Sequence, residues 1–102
     1  MACYYIVRAT VAKAREKEWV QWMLTEHIPK LISLPYFSDG CLLQGSNSQD
    51  NKGEFIAHYT AINRLSLDSY FTSEACAQLR NDGVVRFGDD VRLTREIWES
   101  IE

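Results

Sequence analysis

Cysteine, proline and glycine are scarce in this 102-residue chain, and long apolar runs are missing altogether. The three cysteines, Cys3, Cys41 and Cys76, are widely spaced and form no CxxC pair, whereas a zinc site wants clustered thiolates or imidazoles. No metal and no cofactor is therefore expected, and Cys41 and Cys76, set in apolar contexts, read as small buried hydrophobes. Gly40, Gly45, Gly53, Gly83 and Gly88 are scattered and build neither a P-loop nor a dinucleotide fingerprint. GxSxG and HExxH are absent too, which sets aside serine-hydrolase and zinc-protease chemistry. Nothing approaches the roughly 18 apolar residues that span a bilayer. The opening MACYYIVRAT lacks the charged start, long apolar stretch and cleavage signal of a secretory leader. A cytoplasmic location with reduced thiols is the expectation. Positive charge is not in excess either. Eleven Lys and Arg against fourteen Asp and Glu give a net charge of −3, which argues against nucleic acid and anionic membranes as partners.

What the chain does have is bulk. Hydrophobic residues make up 46% of it and aromatics 12%, too much to remain disordered, and the length suits a single domain over 1–102. Tyr4 to Val11 is rich in β-branched and aromatic types and reads as a strand, with Tyr5, Val7, Ala9 and Val11 on one face and Tyr4, Ile6, Arg8 and Thr10 on the other. From Lys13 the period becomes helical. Val20, Met23, Leu24, His27 and Leu31 form an apolar stripe, and Pro29 predicts a kink or break because it lacks the N–H owed to Thr25. Phe37 to Ser48 reads as an irregular second strand, followed by turn chemistry through Gly53. Glu54 to Ile62 is a third strand, with Phe55, Ala57, Tyr59 and Ala61 on one side and Ile56, His58 and Thr60 on the other. Ser66 suits the N-cap of a short helix, and a longer helix runs from Ser73 to Phe87 with Gly88 as its stop. In the closing strand, Asp90 to Ile101, Val91, Leu93 and Ile97 alternate with Arg92, Thr94, Glu96 and Trp98.

The order β-α-β-β-α-β predicts an α+β, ferredoxin-like fold, a four-stranded antiparallel sheet under two helices. Such a sheet buries one face against its helices. Here the second face also carries bulk in Tyr4, Ile6, Ile56 and Trp98, and a patch of that kind marks an interface. Covering it with the sheet of a second copy needs only one self-complementary surface. A homodimer is expected.

Trp19-Val20-Gln21-Trp22-Met23 and Glu26-His27-Ile28-Pro29 carry a more specific likeness. Together with Tyr59-Thr60-Ala61, Leu79-Arg80 and Arg86-Phe87-Gly88-Asp89, they resemble a small family of uncharacterised, mostly bacterial proteins in the dimeric α/β-barrel superfamily. The likeness spans nearly the whole chain. It implies two ferredoxin-like protomers packed sheet against sheet, and it implies no reaction. More distant members of the superfamily include cofactor-independent monooxygenases and muconolactone-type isomerases. Some of these enzymes carry a His followed by Pro late in the first helix, which adds weight to His27.

His27 sits inside the apolar stripe. It is either a base or polar anchor in a pocket, or a core histidine satisfying the carbonyl that Pro29 frees. With no visible acid, nucleophile or metal partner, the structural role leads. Trp22 falls opposite Val20 and Leu24, and a segment of the same chain is expected to cover it. If the second sheet faces meet in a dimer, Arg8, Thr10, His58, Thr60, Arg92, Glu96 and Trp98 would line a mixed polar and apolar chamber, as small-molecule sites are lined. An inter-subunit network that only fixes the dimer is the competing role, because buried charges must pair whatever the function. Two readings of function follow. The first is a non-catalytic dimeric barrel binding a small ligand or a partner. The second is a cofactor-independent monooxygenase- or isomerase-like enzyme with His27 or His58 as base.

Overall fold

The computed structural model describes residues 2–45 and 52–101. Its strands are β1 (Cys3–Ala12), β2 (Phe37–Gln44), β3 (Lys52–Ala61) and β4 (Val91–Glu99), which form one antiparallel sheet in the order β2-β3-β1-β4. The helical layer comprises α1 (Glu16–Trp22), a π-helical turn (Met23–His27), α2 (Ile28–Ile32), α3 (Arg64–Phe71) and α4 (Glu74–Phe87). This is the ferredoxin-like α+β arrangement that the element order predicts. Strand limits move by a residue or two from the expected ones. The end of the second strand as far as Ser48, and the turn after it, fall largely outside the described residues.

Side-chain alternation along β1 and β3 decides where the core lies. Tyr5, Ala9 and Val11 of β1 and Phe55, Ala57 and Tyr59 of β3 are buried under the helices. Trp19, Met23, Leu31, Leu67, Tyr70 and Phe87 close over them. Tyr5 meets Phe37, Tyr59, Tyr70 and Phe71 at ring-centroid distances between 5.1 and 6.5 Å, so one aromatic cluster joins three strands' worth of sheet to α3. Gly40 lets the edge strand tuck under α2, because a Cβ there would lie 2.8 Å from Ile32 Cγ2 and 2.9 Å from Tyr59 Cδ1.

Several local expectations need correction. Pro29 does not break the helical path. The path widens into the π-helical turn just before α2, whose first turn holds the proline, so the missing N–H is met by a local change of pitch and not by a break. In that turn Thr25 Oγ1 donates to the Gln21 carbonyl at 2.7 Å. The buried stripe is also phased differently. Trp19, Trp22 and Met23 face inward, whereas Leu24 is 54% exposed. Trp22 is covered by its own chain, as expected, and the cover is α4: Phe87 packs against it, tilted, at 5.4 Å and the Arg86 guanidinium lies 5.7 Å from the indole centroid. Asn63, not Ser66, caps α3, its Oδ1 accepting from the Ser66 N–H at 2.7 Å. Such a cap contributes about 1 kcal/mol. Ser73 caps α4 by accepting from Cys76 N, and Gly88 ends it with φ of +53°. Finally, Cys41 is exposed on edge strand β2, while Cys3 and Cys76 are buried.

Candidate functional site

A cavity of about 100 Å³ lies between the sheet and the helices. Its floor is sheet: Tyr5, Val7 and Ala9 of β1 and Ala57 and Tyr59 of β3. Trp19, Trp22, Met23, His27 and Leu31 wall it from the first helical layer. On the remaining side α4 contributes Arg80, Gly83 and Val84, and β4 contributes Val91, Leu93 and Arg95. Val84, Leu93 and both arginines are exposed, so the mouth opens between α4 and β4. Gly83 keeps that side low. A Cβ there would reach only the far edge of Trp22, at 3.6 Å.

Three side chains of this wall carry a buried polar atom with no hydrogen-bond partner in the protein: Trp22 Nε1, His27 Nδ1 and Tyr59 Oη. A buried group left unpaired costs roughly 1–3 kcal/mol, so three around one small cavity are not expected of a purely structural core. His27 therefore does not satisfy the carbonyl freed by Pro29 through Nδ1. Its ring instead packs on Trp22 at 4.8 Å between centroids. Burial lowers its pKa from 6.5 to about 4, against the opposing pull of Asp82 and with a smaller push from Lys30. The imidazole is thus neutral at pH 7, and its weak basicity is ill matched to proton abstraction there. The Tyr59 hydroxyl is held above its ordinary pKa, first by burial and then by Tyr5.

At the mouth, Arg95 Nε donates to Tyr5 Oη at 3.1 Å. Desolvation opposes the Arg80 charge, but the Tyr5 hydroxyl beside it, with Cys76 and Tyr70, more than offsets this and leaves the guanidinium above its ordinary pKa. Tyr5 Oη thus accepts from Arg95 and neighbours Arg80. The Arg80 guanidinium also lies 5.9 Å from the Phe71 ring centroid.

The expected chamber residues lie apart from this cavity, on the face they were expected to share. Strand register brings Arg8, Thr10, His58, Thr60, Arg92, Glu96 and Trp98 together on the sheet face away from the helices, where Tyr4 pairs with Thr60 and Trp98, Ile6 with His58 and Glu96, and Thr10 with Arg92. Arg8 Nε is bonded to Glu96 Oε2. Glu96 also accepts from Trp98 Nε1 at 2.8 Å, and these two bonds, Arg8 first, hold its carboxyl below the ordinary carboxylate pKa. Tyr4 packs on His58 at 5.1 Å. His27 is on the opposite side of the sheet, so the candidates divide into two sites. Tyr5, Arg80 and Arg95 were not among the expected site residues. Arg95 had a signal: it falls in phase with Val91, Leu93 and Ile97, an arginine on the apolar face of an amphipathic strand.

Comparison with known proteins gives the same architecture. A family model described as a domain of unknown function (DUF4286) matches residues 2–101. None of the curated proteins matches. Among solved structures, an EthD family protein from Bacillus halodurans c-125 superposes with a TM-score of 0.73 at 16% identity, covering 99% of this chain and 100% of that one. A variant of SnoaB, a cofactor-independent oxygenase from Streptomyces nogalater, gives 0.71 at 12% identity over 99% and 94% of the two chains. A dimeric ferredoxin-like protein from an uncultured marine organism gives 0.70 at 6% identity over 100% and 98%. Likeness at such identities establishes the fold alone.

Proposed function

The chain belongs to the DUF4286 family, a domain of unknown function, and we propose that it is a homodimeric barrel whose protomers each bind a small organic molecule between sheet and helices, without catalysis. The observation that carries the reading is one cavity with an open mouth whose lining includes Trp22, His27 and Tyr59, three side chains that each hold a buried polar atom without a partner in the protein. Pockets of this kind are mostly apolar with a few polar groups that fix orientation. A ligand there adds apolar burial, and one that turns any of these side chains toward a polar atom of its own relieves that group's desolvation cost.

The enzyme alternative has SnoaB among its structural neighbours in support. Against it stand its two proposed bases. His27 has a pKa of about 4, and His58 lies across the sheet from the cavity.

Dimerisation is supported by the sheet face away from the helices. Trp98 is 57% exposed there and Leu43 49% exposed, beside Tyr4 and Ile56, and one structural neighbour is itself a dimeric ferredoxin-like protein. Native mass spectrometry of freshly purified protein reports assembly and retained ligand together. Twice the chain mass is expected at micromolar concentration, converting to monomer in Trp98→Glu, a change at an exposed side chain. A monomeric wild type overturns the dimer. For the pocket, ¹⁵N–¹H spectra are followed during titration with 3-methylbutanoate, benzoate and their amides. Saturable shifts at Ala57, Gly83 and Leu93 are expected from at least one of them, and none from any overturns the binding role.

A further inference from the structure

We infer that the pocket is built for a small organic carboxylate, its apolar body in the cavity and its charged end between Arg80 and Arg95; this rests on the binding role proposed above and adds the chemical class of the ligand. The pairing of the arginines carries the argument. Of the seven in the chain, Arg8 pairs with Glu96, Arg15 with Glu18 and Asp90, Arg64 with Asp68 and Glu99, and Arg86 with Asp82 and Glu26. Among the described residues, Arg80, Arg92 and Arg95 have no carboxylate within 4.0 Å. Arg92 belongs to the other sheet face. The remaining two both line this cavity, in a chain with a net charge of −3 and acids to spare. No acidic side chain lines it among the described residues.

Two guanidiniums and a phenol hydroxyl on one cavity lining supply the donors an anion needs. Arg95 gives its Nε–H to Tyr5 Oη, which leaves the N–H groups of both terminal nitrogens for a two-oxygen acceptor. Tyr5, as acceptor in that bond, keeps its own hydrogen to donate. Behind these donors the walls are apolar, from Ala9 and Ala57 to Met23 and Leu31. Size limits the body. A cavity of 150 Å³ takes a benzene, so one of about 100 Å³ encloses roughly four heavy atoms in proportion, the rest of a larger ring staying in the mouth.

The test titrates 3-methylbutanoate against 3-methylbutanamide, and benzoate against benzamide, with acetate as a charged end lacking a body. The cavity amides of wild type, Arg80→Gln and Arg95→Gln are followed by ¹⁵N–¹H spectra, which also report whether each variant is folded. At least one carboxylate is expected to bind tenfold or more tighter than its amide and tenfold tighter than acetate, the preference falling below threefold in the glutamine variants. Should Arg95→Gln fail to fold, Arg80→Gln alone decides. Equal binding of acid and amide overturns the carboxylate inference and leaves the pocket standing. A carboxylate preference unchanged in the folded variants overturns the clamp. Acetate binding as well as the larger acids removes the role of the apolar body. Silence from all the probes overturns the binding role and this inference together.

Discussion

Acidification should weaken the fold through His27, by an amount that the structure sets. Burial holds the folded imidazole at a pKa of about 4, below its ordinary 6.5. Between those values the unfolded chain binds a proton that the folded chain refuses, so stability is complete above about pH 7 and declines as the pH falls toward 4. At 1.36 kcal/mol per pKa unit, the full difference is about 3 kcal/mol below both values, of which about 2 kcal/mol is already lost at pH 5. Carboxylates contribute to acid sensitivity as well; the Glu96 carboxyl, held down first by Arg8 and then by Trp98, also favours the folded state until it is protonated. Those contributions are common to wild type and a His27→Gln variant and cancel in their difference. Denaturant unfolding of both at about pH 7.5 and pH 5 isolates the histidine. The wild type should lose about 2 kcal/mol more than the variant over this interval, and the His27 ring protons should titrate well below pH 6.5. An equal loss in both proteins, or a ring titrating at its ordinary pKa, refutes the account of a buried neutral imidazole.

Gly83→Ala should raise stability by about 0.5–1 kcal/mol, because a mid-helix glycine is replaced where the new methyl meets only Trp22 at 3.6 Å; a lowered thermal midpoint would contradict this. Gly40→Ala should lower stability by roughly 1–3 kcal/mol in denaturant unfolding, since its Cβ would lie 2.8 Å from Ile32 and 2.9 Å from Tyr59. Chelator and reductant should each leave the thermal midpoint unchanged, given free Cys3, Cys41 and Cys76 and no metal-capable cluster among the described residues; a large drop with either would expose a missed site.

Strand alternation was the most legible feature of the chain. The two faces of β1, β3 and β4 are those that hydropathy alone assigns, because a period of two leaves no intermediate orientation and a one-residue error would invert every side chain. The first helix was less legible. Its phase was drawn through Leu24 and away from Trp22, and the error has a physical source. α1 and α2 share one pitch and the π-helical turn between them has another, so the three cannot be projected on a single 100° wheel. His27 stands out in the sequence as a histidine within an apolar stripe, but its partner cannot be read there. The indole that packs on it is Trp22, which the same wheel had turned outward.

The mouth of the cavity shows why half of the site was hidden. Arg80 and Arg95 are 15 residues apart in sequence (95 − 80 = 15), on a helix and on the edge strand that follows it, and nothing local links them. Tyr5, some 90 residues from Arg95, links them in space, because β1 is central and presents its odd-numbered residues to the helices. The even-numbered neighbours on that strand, Tyr4, Ile6 and Arg8, belong to the face assigned to the dimer. The proposed ligand pocket and the proposed dimer face are therefore built on successive residues of one strand, back to back across a single sheet layer. Substitutions at Tyr5 should act on binding, and those at Tyr4 or Arg8 on assembly, only as long as the β1 register holds. A change that shifts the register would remove both properties at once, which separates a local lesion from a misfolded sheet.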